Sequence, residues 1–268
     1  MLHQVAFPSG PLAVLSPLLR RASIPHIFST RVGGVSTGPF ASLNFGNPNG
    51  HPIQDRPANL EENYRRTMQA ADLTGRQLAR VHQVHGNVIA QLWDGDAPPS
   101  DTKADALLTD CPSFALSVRT ADCVPILLAS RDGRLVAAVH AGWRGIVAGI
   151  LPNAINALRI RQVLLCDILI AIGPCIGPDA FEVGDEVVNE FRAKLPDAPD
   201  VIHRQVGRKA HIDMRKALVH QALQLDIPAP NIDSTDLCTY SDADLFFSHR
   251  REHGLTGRQA AFIGTRSA

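Results

Sequence analysis

The sequence predicts a single α+β domain over residues 1–268, in which helices and strands share one core. Strand-like and helix-like segments are intermingled along the whole chain, and no stretch has the composition of a linker between domains. No self-similarity occurs at the periods of about 20 to 50 residues that repeat proteins use. At 268 residues and 45% hydrophobic content, the chain can bury a core without disulfide or metal staples.

The first third predicts a strand, a helix and a broken strand. The segment 26–30, HIFST, is strand-like and runs into the glycine-rich loop RVGGVSTG. Residues 55–73 combine helix formers with acidic residues in the first turns, which predicts a helix. Residues 77–92, QLARVHQVHGNVIAQL, alternate well enough to predict two strand pieces hinged near Gly86.

The middle of the chain predicts a buried sheet followed by a helix. Three aliphatic or β-branched runs, FALSVRT, VPILLAS and RLVAAVH, are separated by turn residues and indicate strands with at least one well-buried side. A helix is expected at 143–158, kinked or split by Pro152.

The last third returns to alternating elements. CDILIAIG is a further buried strand, and residues 185–195 and 213–226 predict amphipathic helices, the second with Asp213 as its N-cap. DLFFSHR and RQAAFIG, at 244–250 and 258–264, are expected to be strands.

Charge and cysteine content narrow the functional classes. Twenty-six basic residues balance 26 acidic ones, so no overall field favours nucleic acid or an anionic membrane, and a small-molecule substrate is expected. The apolar stretch GPLAVLSPLL is interrupted by prolines and lacks the flanks of a signal peptide, and no stretch approaches a membrane span. The five cysteines are scattered and include no C-x-x-C pair, which predicts reduced thiols and a cytoplasmic location.

Three ligand-type residues stand beside glycine or proline: His85 in VHQVHG, Cys123 in RTADCVP and His140 in AAVHAGWRG. One thiolate and two imidazoles can bind zinc and leave one position open for water or substrate. Each alone is more often structural, and their separations of 38 and 17 positions are not local zinc-finger spacings. In an extended segment His82 and His85 would point to opposite faces, so only one can join the site, and the pattern does not choose.

Longer blocks carry a resemblance that covers nearly the whole chain, from about Thr30 to Gly264. The blocks STRVGGVS, LNFG, HQVHG, ADALLTD, TADCVPILLA, AAVHAGWRG, GPCIGPDAFEVGDEV and CTYSDADLFFSHRREHGLTGRQAAFIG resemble the YfiH family, also labelled the laccase-domain or polyphenol oxidase family. The resemblance implies a single domain with an α/β/β/α layered fold. It also implies a zinc site made by His85, Cys123 and His140, with His82 at a position where the family accepts other residues.

The resemblance further implies substrate-side residues. It places Arg31 and Asn44 by the pocket, where a guanidinium could grip an anionic phosphate. The alternative for both is a turn held by side-chain to backbone hydrogen bonds, and the sequence leaves the two roles open.

The activity implied by the family is purine nucleoside phosphorylase, acting on adenosine, inosine and S-methyl-5'-thioadenosine, with adenosine deaminase activity as well. An open Cys/His/His zinc suits deamination through an activated water. Phosphorolysis needs phosphate beside C1', for which Arg31 and Arg144 are candidates. The H-x-E and P-C-x-x-C pattern of nucleobase deaminases is absent, so Asp122 and Glu182 are weighed as proton shuttles or as groups that orient a ligand.

Two other enzyme classes use the same atoms. In a cysteine hydrolase Cys123 would be the nucleophile and His140 its base, as in an amidase that edits peptidoglycan precursors. A copper polyphenol oxidase is the least favoured, because the 11 histidines include no H-x-H pair. A binding module without catalysis would leave the open metal position unused. Zn²⁺ is thus the expected cofactor, and we expect a monomer or weak homo-oligomer.

Overall fold

The computed structural model describes residues 1–203, 207 and 209–266. Its strands are β1 (His3–Ala6), β2 (Leu12–Leu15), β3 (His26–Ser29), β4 (Gln77–Ala79), β5 (Ile89–Leu92), β6 (Ala106–Thr109), β7 (Phe114–Thr120), β8 (Val124–Ser130), β9 (Val136–Ala141), β10 (Ile168–Ile172), β11 (Glu182–Val183), β12 (Ile202–His203), β13 (Ala210–Ile212), β14 (Ile232–Asp233) and β15 (Gln259–Ile263). Its α-helices are α1 (Pro17–Arg21), α2 (Pro57–Ala70), α3 (Trp143–Val147), α4 (Ile150–Ile160), α5 (Asp185–Lys194) and α6 (Met214–Gln224).

Two six-stranded sheets form the centre of the molecule. The first sheet has the order β1-β2-β3-β15-β7-β4, and the second has the order β14-β10-β8-β9-β6-β5. A small third sheet, β11-β13-β12, lies beside α5. Most neighbours in the two large sheets are antiparallel, with parallel pairs at the edges β4–β7, β5–β6 and β10–β14.

The two large sheets pack face to face. Their shared core contains Phe28 and Val118 from the first sheet and Leu127 and Leu169 from the second. Because side chains alternate along a strand, the odd positions of β8 enter this core while Ile126 and its even neighbours point to the other side. Both faces of β8 are covered, which explains its uninterrupted apolar sequence.

Helices cover the two outer faces. Helices α3 to α6 pack on the second sheet through a core that includes Ile146, Leu158, Phe191 and Leu218. Helix α2 places Tyr64 on the outer face of the first sheet. The result is the α/β/β/α layering that the family resemblance implied.

Several predicted elements are confirmed with adjusted bounds. Helices α2, α5 and α6 occupy the expected segments, and the Asp213 carboxylate accepts a hydrogen bond from Lys216 N at 3.0 Å as the N-cap of α6. The helix expected at 143–158 is split, but at Gly149, whose φ is +81°, rather than at Pro152. Pro152 lies in the first turn of α4, where its missing N–H costs nothing.

Other expectations were wrong. The segment 244–250 is not a strand, because Leu245 N and Phe246 N both donate to the Asp242 carbonyl in a turn, and the apolar pair Phe246 and Phe247 is buried without a ladder. The three runs FALSVRT, VPILLAS and RLVAAVH do not share one sheet, because β7 lies in the first sheet and β8 and β9 lie in the second.

The two strand pieces expected in 77–92 are confirmed as β4 and β5, which belong to different sheets. No helix in the described part of the chain is long and apolar enough to cross a membrane.

Candidate metal centre

His140 is placed by the central strands of the second sheet. It lies near the end of β9, opposite Pro125 of β8, and is only 3% exposed. Its Nδ1 lies 2.8 Å from Oδ1 of Asp105, a fully buried residue that directly precedes β6. A carboxylate that accepts from Nδ1–H fixes the tautomer in which Nε2 carries the free lone pair. His140 is therefore held with Nε2 as its ligand atom.

His85 is held by the same carboxylate. Asp105 Oδ1 accepts from His85 N at 2.9 Å, and Oδ2 accepts from Gly86 N at 2.6 Å and from Val84 N at 3.2 Å. His85 has a φ of +61°, so the loop turns around the carboxylate instead of continuing as a strand. Its ring meets that of His140 edge to face, with centroids 4.9 Å apart.

Cys123 enters from the turn between β7 and β8. The preceding Asp122 has a φ of +88° and is tied on both carboxylate oxygens, to Thr239 Oγ1 and to Arg250 N, each at 2.7 Å. These contacts hold the turn in an unusual backbone conformation. The turn carries the Cys123 sulfur to the two imidazoles.

The three ligand atoms of His85, Cys123 and His140 all lie within 4.8 Å of one another, and the described residues contain no other cluster of this kind. A tetrahedral zinc with bonds of about 2.0 to 2.3 Å needs ligand atoms a little closer than this. The backbone beside the cluster leaves space for the ligand side chains. A Cβ on Gly142 would lie only 2.8 Å from His85 Cδ2 and 3.2 Å from Cys123 Sγ. Donor chemistry, spacing and this glycine all fit a metal ion with one open position.

The neighbouring histidine rings favour the thiolate form of Cys123, which is the form that binds a metal. Burial raises the pKa of Cys123, but the neighbouring His140 and His85 rings outweigh burial and lower the pKa to about 6. Burial lowers the pKa of His140, but Cys123 and Asp105 outweigh it and raise the pKa to about 9. Cys123 is thus poised as a thiolate, which is both the metal-binding and the nucleophilic form of cysteine.

His82 does not join the cluster. It lies in an isolated bridge with Lys103, with its N–H donating to the Thr102 carbonyl. The expectation that only one of the two histidines joins the site agrees with this placement. The argument from strand alternation was wrong, because the backbone of His85 is in the left-handed conformation and the segment is not an extended strand there.

Arg31 and Asn44 lie in the segment between β3 and α2, and each has intramolecular partners. Arg31 donates from Nε to the Ala41 carbonyl at 2.8 Å and from Nη1 to the Ala243 carbonyl at 3.1 Å, and it stacks on the Phe247 ring at 4.6 Å. Asn44 is fully buried and donates to Asp55 Oδ2 at 2.9 Å. As substrate ligands both residues remain predictions.

The weighed proton shuttles are placed differently from each other. Asp122 is buried with both oxygens bonded, which fits a residue that shapes the turn. Glu182 lies in β11 with its carboxylate 3.2 Å from Lys209 Nζ.

Arg144, the other candidate for phosphate, stacks on the neighbouring Trp143 ring at 4.4 Å. Cys175 is fully buried, and burial raises the pKa of its thiol to about 12, which suits a packing role.

Sequence reasoning missed Asp105, His249 and Arg258. Asp105 is the second residue of the block ADALLTD, and a lone carboxylate directly before an apolar strand is the signal that could have found it. Burial and Arg258 lower the pKa of His249, with a smaller contribution from His85, so His249 lies near the site.

Comparison with known proteins agrees with this architecture. Residues 25–266 match the family model described as multi-copper polyphenol oxidoreductase laccase. "Purine nucleoside phosphorylase YfiH" of Escherichia coli is 40% identical over 235 residues, covering 88% of this chain and 91% of that protein. "Purine nucleoside phosphorylase YlmD" of Geobacillus stearothermophilus is 36% identical over 250 residues, covering 89% of each chain.

Solved structures agree as well. The crystal structure of YlmD from Geobacillus stearothermophilus superposes with a TM-score of 0.88 at 33% identity over 99% of both chains. That of a Bacillus licheniformis protein named YfiH gives 0.85 at 28% identity, over 94% of this chain and 96% of that one. The chain therefore belongs to the YfiH and YlmD family, the family described as multi-copper polyphenol oxidoreductase laccase.

Proposed function

We propose that the protein is a zinc-dependent purine nucleoside phosphorylase acting on adenosine, inosine and S-methyl-5'-thioadenosine, with adenosine deaminase activity. The observation that carries the proposal is the His85, Cys123 and His140 cluster, whose three ligand atoms would leave a tetrahedral zinc one further position for water or substrate. The names of the relatives supply the substrate class. Zinc as the metal, a cytoplasmic location and a monomer or weak homo-oligomer are parts of the same proposal.

The chain's own residues would prepare this site in three ways. Asp105 holds His140 in one tautomer and bends the loop that presents His85. Gly142 leaves room where any side chain would collide with the ligands. When bound there, zinc would supply Lewis acidity that activates water near neutral pH. In this scheme Arg31 and Asn44 line the substrate side.

The multi-copper chemistry in the family description receives less support. A multicopper centre needs several further histidines near the first set. The described residues contain one three-ligand cluster and no second one.

A thiol amidase is the second candidate, and one observation favours it. Cys123, with a thiol pKa of about 6, would be the nucleophile and contacts His140, which would be its base. Asp105 contacts the other ring nitrogen of His140 and would orient it. The Cys123 thiolate would then attack the amide carbonyl carbon, and protonated His140 would give its proton to the departing amine as the C–N bond breaks. Such a reaction would survive removal of metal.

One experiment separates these functions. Protein of measured zinc content is incubated with adenosine, with and without phosphate, before and after chelation, and adenine, inosine and hypoxanthine are separated by chromatography. We expect adenine only with phosphate, inosine also without it, and loss of both products after chelation. Absence of both products from zinc-loaded protein contradicts the proposal, and amide cleavage that survives chelation supports the amidase.

A further inference from the structure

Two arginines approach each other on the outer face of the first sheet, close to the metal centre. Arg119 of β7 pairs in register with Ala260 of β15. Arg258 lies two residues before Ala260, and residues two apart in an extended chain share a face. Both arginines therefore lie on the same side of neighbouring segments.

Gly46 lies directly beneath both side chains. A Cβ on Gly46 would come within 3.1 Å of Arg119 Nη1, 3.3 Å of Arg119 Cδ and 3.6 Å of Arg258 Cγ. The missing side chain thus leaves room for two guanidinium-bearing side chains to lie over one point of the LNFG loop. Neighbouring like charges repel, and this arrangement costs free energy unless an anion offsets it.

No carboxylate in the described part of the chain fills that role. In the described ranges, neither Arg119 nor Arg258 has a carboxylate oxygen within 4.0 Å, and the Arg119 guanidinium donates to no protein acceptor. Arg258 uses Nη1 alone, donating to the Thr256 and Gly257 carbonyls at 2.9 Å each. Several N–H donors of the pair therefore remain for a ligand.

Arg258 lies close enough to Arg119 and to Cys123 of the metal centre for their charges to interact. Burial and the nearby Arg119 lower the pKa of Arg258, whereas Cys123 and Asp122 raise it. Both Asp122 oxygens already accept hydrogen bonds from Thr239 and Arg250, so this carboxylate is not a free partner. Arg119 itself is four residues before Cys123, at the end of the strand that leads into the ligand turn.

Asn44 fixes the geometry of this pair. Its Oδ1 accepts from Gly46 N at 3.1 Å and from Arg258 N at 2.8 Å, so one buried amide joins the LNFG loop to the backbone of Arg258. Asn44 is thus a positioning residue for the pair.

We propose that Arg119 and Arg258 form a subsite for a tetrahedral oxyanion, and that its occupant is inorganic phosphate. The assignment rests on the proposed phosphorolysis and names the residues that would hold its co-substrate. In that reaction an oxygen of hydrogenphosphate forms a bond to C1' as the C1'–N9 bond breaks. The bonding electron pair stays with the purine, and the hydrogenphosphate proton ends on the purine nitrogen. Two guanidinium forks hold a dianion and orient its oxygens.

The test measures phosphate binding apart from catalysis. Zinc-loaded wild type, Arg119→Gln, Arg258→Lys and the control Arg161→Gln are titrated with inorganic phosphate by calorimetry, and zinc content is measured in each. Arg161 is exposed and stacks on Trp93, away from this face. Arg119→Gln removes no internal hydrogen bond of the guanidinium, and Arg258→Lys keeps a charge, so both variants are expected to fold. Arg119→Gln loses a charged hydrogen-bonding partner and Arg258→Lys loses the guanidinium fork, and each change should raise the phosphate dissociation constant about tenfold or more.

The outcomes separate the subsite from the function. Unchanged zinc, weakened phosphate binding in both variants and normal binding in the control support the subsite, even if no nucleoside is cleaved. Phosphate-dependent release of adenine with an unchanged phosphate constant in both variants overturns the subsite and leaves the function standing. Binding of adenosine 5'-monophosphate without any binding of inorganic phosphate also overturns it, because the occupant would then be a phosphate ester.

Discussion

Asp105 Oδ1 lies 2.8 Å from Nδ1 of His140, and the same carboxylate accepts the backbone N–H of His85. One buried side chain therefore orients two proposed ligands that are 55 positions apart in the chain. Burial raises the pKa of Asp105, but the hydrogen bonds from His140, Gly86 and His85 outweigh burial and hold the pKa below its usual range. Asp105 is thus expected to remain ionised and to support the metal centre without touching the metal.

Asp105→Asn should weaken metal binding while leaving the three ligands present. An amide keeps only one acceptor oxygen, so either Val84 N and Gly86 N lose their acceptor, or His85 N loses it and the His140 tautomer is no longer fixed. Loss of such a supporting group typically lowers metal affinity about 10- to 100-fold. Competition with a chromophoric chelator measures this, with Asp167→Asn, a partly exposed residue, as the matched control. Equal zinc affinity in both variants would rule out the supporting role.

Cys123→Ala should remove most of the bound zinc and leave the fold intact. The thiolate is the one charged ligand of the set, while the core of this chain is large enough to persist without metal. Metal analysis and circular dichroism check the two halves of the prediction, with Cys166→Ser, an exposed cysteine, as the control. Full zinc content in Cys123→Ala would refute the ligand assignment.

His82→Ala and His85→Ala should differ sharply despite being three residues apart. Only His85 lies with Cys123 and His140, so its loss should abolish zinc binding and activity. His82→Ala should keep zinc and most activity, because its structural role is carried by backbone hydrogen bonds. Zinc content and adenine release are measured in parallel. Similar losses in both variants would place His82 in the site as well.

The fold was predictable where composition and flanking residues agree. Helix α2 was expected from its helix formers and acidic first turns, and β8, β9 and β10 from short aliphatic runs bounded by turn residues, and all four fold as expected. The segment 244–250 has strand-like composition, but its two phenylalanines are buried by tertiary packing while its backbone forms a turn. Composition predicted burial there and not conformation.

The site was predictable only in part, for a similar reason. The ligand residues are marked by their chemistry and by the resemblance of their sequence blocks. Asp105 is not, because its role depends on a loop that turns around its carboxylate at a left-handed His85. Arg119 and Arg258 meet only through the pairing of β7 with β15, which no local pattern of the sequence encodes.

His26 should make the fold sensitive to mild acid. Burial is the largest influence on this ring and lowers its pKa from 6.5 to about 4, since Nε2 accepts from Ser16 N and must stay unprotonated. The unfolded chain therefore binds the proton first as pH falls, and the stabilisation present above pH 6.5 is lost progressively down to about pH 4. The loss amounts to roughly 3 kcal/mol at most.

Urea unfolding of wild type and His26→Gln at several pH values isolates this contribution. Other groups titrate in both proteins, so the quantity of interest is the difference between their unfolding free energies. We expect this difference to shrink from pH 7 to pH 4 and to be constant between pH 7 and 8. A difference that does not change down to pH 4 would contradict the assigned cause.

Arg31→Lys distinguishes a phosphate ligand from a residue that shapes the pocket. If Arg31 grips phosphate, losing the guanidinium fork should weaken phosphorolysis through phosphate affinity and spare deamination, which uses water. The contacts favour the other role: Nε and Nη1 hold the Ala41 and Ala243 carbonyls, and the guanidinium covers the Phe247 ring. Lysine can replace only part of this set, so we expect both activities to fall together, by about tenfold or less, with an unchanged phosphate dissociation constant. The ratio of adenine to inosine formed from adenosine, measured at several phosphate concentrations, is the deciding quantity. A fall in that ratio that excess phosphate restores would return Arg31 to the phosphate site.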